Sequence, residues 1–325
     1  MTAARAQFPA EQSPDGAFVR QQDAFRGTFG AGGEYPAEAG RYHLYVSLAC
    51  PWAHRTLIVR ELLGLQAAIG VSVVDPIRDE RGWRFGDGPG VDRDALNGFD
   101  YLREAYRVND PGYTGRVTVP VLWDTRTGRI ASNSDDDIMR ALETDFAPLG
   151  NGAYDLYPPA LAAQIDALDA TIYDAVNDGV YQAGFATSQA AYETAARRLF
   201  ATLDDLDARL ADRRYLFGDR HVETDWRLFV TLVRFDAVYV GHFKCNLRRI
   251  ADYPNLSGYL RDLYQIPGVA GTVNFDHIKR HYYRTHGDIN PAGIVPIGPA
   301  LDLDAPHGRG ALERRGSEPG LREIR

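Results

Sequence analysis

Cysteine is almost absent from this chain: its 325 residues contain only Cys50 and Cys245. Two cysteines cannot build a disulfide scaffold, so both are expected as thiols in a reducing compartment. Lysine is equally scarce. Of 36 basic residues only Lys244 and Lys279 are lysine, which leaves 34 arginines (36 − 2), a bias that points to a GC-rich genome. There is no basic excess either. The formal net charge is −8, opposite to what a protein that neutralises phosphates requires, so nucleic-acid binding is not expected. No run of 18 apolar residues occurs, and the N-terminal "MTAARAQFPAEQSPDG" carries no apolar core of signal-peptide type. The expected address is therefore cytoplasmic, with no membrane association. No internal repeat of fixed period is present.

What the sequence does have is 45% apolar residues, enough for two cores. Residues 1–40 are rich in Gly, Pro, Gln and Ala and read as an extended arm; "GAGGE" within it lacks the flanking strand and helix of a phosphate loop. From 41 onward "RYHLYVSLA" reads as a strand, "PWAHRTLIVRELLGL" as a helix and "GVSVVDPI" as a second strand. A polar, Gly-rich insertion spans about 79–116. After it, "VTVPVLWD" and "GRIASNS" are strands joined by a turn at Thr125 to Gly128, and "DDDIMRALETDF" is a helix. The order βαβ, insertion, ββα predicts a thioredoxin-like α/β domain over 41–147. Beyond a Gly/Pro-rich linker, 155–285 shows only helical periodicity, and 286–325 reads as an irregular tail. A small α/β domain followed by an all-α domain is the glutathione-transferase plan.

Cys50 stands between the first strand and a proline-led helix, in Cys50-Pro51-Trp52-Ala53. A thiol at a helix start lies among unpaired N–H groups and the positive end of the dipole, both of which favour thiolate. Pro51 fits the first helical position, where its missing N–H costs nothing. Ala53 stands where a dithiol oxidoreductase has its second cysteine, so an external thiol must resolve any mixed disulfide. Val119-Pro120 matches the cis-proline that faces the reactive cysteine in thioredoxin-like folds. These features outweigh the alternative, a buried structural cysteine. Cys245 in "HFKCNL" has no such setting and reads as buried.

The motifs "RYHLYVSLACPWAHRTLIVRELLGL", "GVSVVDP", "YTGRVTVPVLWD", "YQAGFATSQAAYE", "LVRFDAVYVGHFKCNLRRIADYPNL" and "VNFDHIKRHYYRTHGDINPAGIVPIGP" resemble the Xi-class glutathione transferases, the glutathionyl-hydroquinone reductases, from about 40 to 299. The resemblance implies that Cys50 attacks the sulfur of a glutathione-conjugated hydroquinone, and that a second thiol resolves the mixed disulfide. It implies tyrosines as proton donors to the ring carbon, at Tyr181 in "GVYQAGFA" and Tyr283 in "HYYRTH", with Tyr239 in "AVYVGHF" on the substrate side. It places the thiol cosubstrate at Trp83, Arg116 and the backbone of Val119, and implies a homodimer.

The chain departs from the family where Asn-Glu-Ser-Ser-Glu is usual: "SNSDDDIM" puts Ser134 and Asp135 at the Glu-Ser pair that holds the γ-glutamyl group. Either the two residues exchange roles, with Asp135 taking the ammonium, or Asp135 repels a γ-glutamyl carboxylate. The second case would suit mycothiol, a cysteine thiol without a γ-glutamyl group used by many actinobacteria, with whose composition this chain is compatible. A non-catalytic module that binds a quinone or a partner is the remaining class, and other aromatic chemistry within the enzyme class stays open. No metal is expected: His277 and His281, four apart, read as hydrogen-bonded, and His54 as packed or locally bonded. "RLADRR" reads as a solvated helix end and "LDDLDARL" as an exposed acidic stripe.

Overall fold

A computed structural model describes residues 9–312. The chain forms two compact units. Among the described residues, the first comprises 9–11, 20–155 and 271–296; the second comprises 12–19, 156–270 and 297–312.

The first unit is built on a four-stranded sheet of order β2-β1-β3-β4. β1 (Tyr42–Val46) pairs in parallel with β2 (Ile69–Val73) and antiparallel with β3 (Val121–Asp124), which pairs antiparallel with β4 (Arg129–Ser132). Parallel β1 and β2 require a crossover, and α1 (Pro51–Leu62) supplies it. α1 ends in a Schellman motif: Leu65 N–H bonds Arg60 C=O at 2.9 Å and Gly64 N–H bonds Glu61 C=O at 3.1 Å. Gly64 adopts φ +68°, which only glycine takes freely. The polar insertion is not wholly irregular, since it contains a helix that its composition hides, α2 (Arg103–Asn109). α3 (Asp135–Glu143) packs beside α1, with Ser134 as its N-cap accepting from Asp137 N–H at 3.2 Å. The arm lies along β4: Arg26 bridges Ser132, Gly27 N–H bonds Ala131 C=O at 2.9 Å, and Asn133 N–H bonds Phe25 C=O at 2.9 Å. The helix that begins within "VNFDH", α9 (Phe275–Thr285 in chain order), belongs to this unit although its sequence periodicity continues that of the helical half.

The second unit is helical. α4 (Ala162–Ile172) runs into a π turn, Tyr173–Asn177, then α5 (Gly179–Gly184) and the long α6 (Gln189–Arg209). α7 (Glu223–Arg234) is buried along its whole length and also ends in a π turn, Phe235–Tyr239, before α8 (Leu256–Tyr264). Burying all of α7 requires that its charges be matched. Arg227 pairs with Glu223 and Asp169, and Asp225 accepts from Leu216 N–H, Val222 N–H and the Tyr259 hydroxyl. Asn177 in the first π turn donates to Arg227 C=O and to Thr231 Oγ1 of α7 at 2.8 and 2.7 Å.

Two charge runs are corrected at one residue each, while Asp204 and Asp205 of the acidic stripe are exposed as expected. Asp207, in the supposed acidic stripe, is buried and caps α8 through Asn255 N–H and Leu256 N–H at 2.9 and 2.8 Å. Arg214, in the supposed solvated end, forms a bidentate pair with buried Asp262. The described tail, 301–312, is anchored, because buried Arg309 donates to the carbonyls of Arg214 and Leu210. Residues 313–325 lie outside the described residues. No described helix is long and apolar enough to cross a membrane.

Candidate active site

Cys50 is the N-cap of α1, in extended backbone, with Pro51 at the first helical position. Its own carbonyl starts the helix by accepting from His54 N–H at 3.0 Å. Its side chain is 8% exposed, and Sγ stands 3.5 Å from the carbonyl oxygen of Val119. The Val119-Pro120 bond is cis. The strand-to-helix turn and the loop before β3 thus bring the thiol and the Val119 backbone together, as their sequence settings led one to expect.

Trp83 is 4% exposed and its Nε1–H, although buried, has no hydrogen-bond partner among the described residues. The ring stacks on His281 of α9, with centroids 5.2 Å apart and planes at 19°, and the Arg78 guanidinium covers it at 4.8 Å. His281 is fixed by Nδ1 at 2.6 Å from Pro76 C=O, and His277 by Nε2 at 2.8 Å from Pro89 C=O. Both histidines are therefore hydrogen-bonded to backbone. Among the described residues no cluster of three or more potential metal ligands exists. His54 is buried and bonds Thr272 Oγ1 at 2.8 Å, a partner distant in sequence rather than local. A cleft of about 740 Å³ in this unit is lined by Arg78, Gly82, Arg107, Tyr113, Val117 and Thr285, which include sequence neighbours of Trp83 and Arg116.

Ser134 and Asp135 open α3, and a residue that sequence reasoning missed governs them. Arg55, entirely buried on α1, reaches Asp135 Oδ2 at 2.7 Å and Asp136 Oδ1 at 3.3 Å, and lies over the Trp52 ring at 4.7 Å. Asp135 is consequently not an uncompensated anion. A lone charge amid "AHRTLIV" was the available signal, because an arginine on a buried helical stretch demands a partner. Arg116, 18% exposed, pairs with buried Glu11 of the arm at 3.0 Å.

Tyr283, on α9, is buried in the first unit, and burial raises its hydroxyl above the usual tyrosine range. Tyr181, on α5, and Tyr239, at the end of the second π turn, stand in the helical unit. Their rings meet edge to face at 6.1 Å. Tyr239 stacks on Phe243 at 5.6 Å and 16°, and Tyr181 meets Phe243 at 5.3 Å. Gly184 makes this cluster possible, since a Cβ there would lie 2.2 Å from Cγ of Phe243. Cys245 is wholly buried in the same unit, and burial pushes its thiol far above the ordinary range, which suits an inert packing residue.

Comparison with known proteins agrees with this arrangement. Family models for the glutathione S-transferase N-terminal and C-terminal domains match residues 49–145 and 189–262. The chain is 54% identical over 308 residues to the glutathionyl-hydroquinone reductase YqjG of Escherichia coli K12, covering 92% of this chain and 94% of that one. The glutathione-bound structure of YqjG superposes with a TM-score of 0.85 at 55% identity, covering 88% of this chain and 96% of the other. A Xi-class transferase from Natrialba magadii gives 0.86 at 51% identity, with 88% of each chain covered. The fold is therefore a thioredoxin-like domain with a helical glutathione-transferase domain, and the chain belongs to the Xi-class glutathione transferases, the family of the glutathionyl-hydroquinone reductases.

Proposed function

We propose that this enzyme is a thiol-dependent reductase that removes glutathione from S-conjugated hydroquinones through a mixed disulfide on Cys50. The observation that carries the reading is the Cys50 thiol at the start of α1, 3.5 Å from the Val119 carbonyl. In the first step the Cys50 thiolate attacks the thioether sulfur. The C–S bond breaks, its electron pair goes to the ring carbon, and that carbon takes a proton from a phenol, for which Tyr181 and Tyr283 are the candidates. Hydroquinone leaves and Cys50 holds the glutathionyl sulfur as a disulfide. A second glutathione thiolate attacks that disulfide, releasing glutathione disulfide and returning Cys50 as thiolate. The substrate ring has thus been reduced, and the conjugate's sulfur and one glutathione thiol have been joined as a disulfide.

The thiol cosubstrate is assigned to Trp83, Arg116, the Val119 backbone and the Ser134 and Asp135 turn. The unpartnered Trp83 Nε1–H supports this, because a buried donor without an acceptor fits a site whose acceptor arrives with the ligand. The Arg55 pair supports glutathione over mycothiol by matching the charge of Asp135, which removes the repulsion that would exclude a γ-glutamyl carboxylate. Tyr239 is assigned to the aromatic substrate, beside Tyr181. The working assembly is taken to be a homodimer in the cytoplasm, with residues 41–147 as the thiol domain and 155–285 contributing the substrate domain.

The test is hydroquinone release from matched menadione conjugates of glutathione and of mycothiol, each with its own free thiol, by wild type and Cys50→Ala. Release from the glutathione conjugate, lost in Cys50→Ala, is expected. Release only from the mycothiol conjugate would reassign the cosubstrate, and release from neither would sink the reaction in favour of a non-catalytic binding module.

A further inference from the structure

The first turn of α3 is crowded with charge, and nearly every charge there has a partner. Arg26 forms a bidentate pair with Asp137, both contacts at 2.6 Å. Arg55 takes Asp135 and Asp136, Arg116 takes Glu11, and Arg20 lies over the Trp52 ring at 4.8 Å. Asp23 is different. It receives no hydrogen bond and no ion pair among the described residues, although it is partly buried and feels the fields of Arg116, Asp136, Arg26 and Arg20.

The backbone explains how Asp23 comes to be there. The arm runs antiparallel to β4, with Arg26 bridged to Ser132 and Phe25 exchanging two bonds with Asn133: Phe25 N–H to Asn133 Oδ1 at 2.8 Å and Asn133 N–H to Phe25 C=O at 2.9 Å. Phe25 is further held by the rings of Tyr106 and Tyr113. Asp23, two residues before Phe25, is thereby carried toward the level where β4 ends and Ser134 and Asp135 open α3. Ser134 offers a hydroxyl already used as the α3 cap and brings no charge.

A partly buried carboxylate without a hydrogen-bonded or ion-paired partner is costly, and burial pushes Asp23 up to about 6 against the opposing fields of Arg116, Arg26 and Arg20. An arriving ammonium would remove that cost. We propose that Asp23, delivered by the N-terminal arm, receives the α-ammonium of a γ-glutamyl thiol whose α-carboxylate docks at the start of α3. The inference rests on the thiol-site assignment above and deepens it: the cosubstrate is an amine-bearing thiol, held on one side by the arm. Mycothiol, without that ammonium, leaves Asp23 unmatched.

The experiment is calorimetric titration of the Cys50→Ala protein with glutathione and with its deaminated analogue, with and without Asp23→Asn. A charge-assisted hydrogen bond in this setting predicts about 10- to 100-fold tighter binding of glutathione than of the analogue. Asp23→Asn should erase that preference by weakening glutathione alone. The Asp23 side chain makes no hydrogen bond, so the isosteric Asn is expected to fold; unchanged affinity for the analogue is the internal check, and Asp23→Ser carries the same expectation. Persistence of the preference in Asp23→Asn and Asp23→Ser, or equal binding of the two ligands to the Cys50→Ala protein, overturns the proposal. Because binding is read without the nucleophile, a wild type that released no hydroquinone would sink the reaction and leave this result standing.

Discussion

Arg55 and Asp135 tie the helix that begins at Cys50 to the helix start at which a thiol ligand would dock, Nη1 to Oδ2 at 2.7 Å, with the guanidinium wholly buried and the carboxylate side chain 15% exposed. Such a pair fixes geometry more than it adds stability, because each ion has given up hydration to form it. Breaking it from one side is costly. Arg55→Ala is expected to lower unfolding stability by about 3–5 kcal/mol, leaving acidic groups without their cation and a gap beside Trp52. Asp136→Ala removes the longer, more exposed partner and should cost less than about 1 kcal/mol. Urea unfolding of the two variants checks the contrast, and equal losses would show that Arg55 is held mainly by something other than Asp135.

Trp83 separates packing from hydrogen bonding. Its ring stacks on His281 beneath Arg78, while its Nε1–H has no acceptor among the described residues. Trp83→Phe preserves much of the stack and deletes only the donor. The expected result is a small change in stability and a rise of about 5- to 10-fold in KM for the free thiol, the worth of one hydrogen bond. Steady-state kinetics with varied glutathione decides it. A thiol KM that stays at the wild-type value would remove Trp83 from the site.

The contrast between those residues shows what a sequence carries. Cys50-Pro51 announces the start of α1 because capping is local chemistry, and the alternation in "YHLYV" announces a strand because its pattern is local too. α2 is hidden because seven residues in a polar insertion are too short for a helical period to stand out. The π turns after α4 and α7 are hidden because one extra residue per turn leaves the apolar pattern almost unchanged. Arg55 with Asp135, Arg116 with Glu11, and Asp207 on the α8 cap all join residues far apart in sequence, so only the folded chain reveals them. The family motifs pointed to Cys50 and the tyrosines, but the arm, which reads as irregular, gave no sign that it would carry Glu11 to Arg116 and run beside β4.

Asp225 gives a pH signature. Burial raises its carboxyl to about 6, whereas a carboxyl of this type in an unfolded chain titrates near ~3.9. Between about pH 4 and 6 the folded state therefore binds more protons, and this group's contribution to stability grows as pH falls through 6 and is complete near 4. Above 6 it is ionised in both states and contributes no slope. Over the window the effect amounts to at most about 3 kcal/mol. The difference in urea midpoint between wild type and Asp225→Asn, measured from pH 4 to 8, should slope only below 6. A flat difference throughout would place the Asp225 carboxyl in the ordinary range despite its burial.

The proton delivered to the ring carbon sets the last expectation. Tyr283 is 9% exposed and burial raises its hydroxyl, so it carries its proton at neutral pH and can donate it as the C–S bond breaks. Tyr239, fully buried and stacked on Phe243, is placed to shape the aromatic cluster with Tyr181. Tyr283→Phe should lower kcat for hydroquinone release by about 10²- to 10⁴-fold. It should leave the reaction of glutathione with a preformed Cys50 mixed disulfide unchanged, because that step transfers no proton to carbon. Tyr239→Phe should instead raise KM for the conjugate. Rapid-quench measurement of the two half-reactions separates these effects. A loss that fell on Tyr181→Phe alone would move the donor to α5, and full release by both Tyr181→Phe and Tyr283→Phe would mean that the proton comes from solvent.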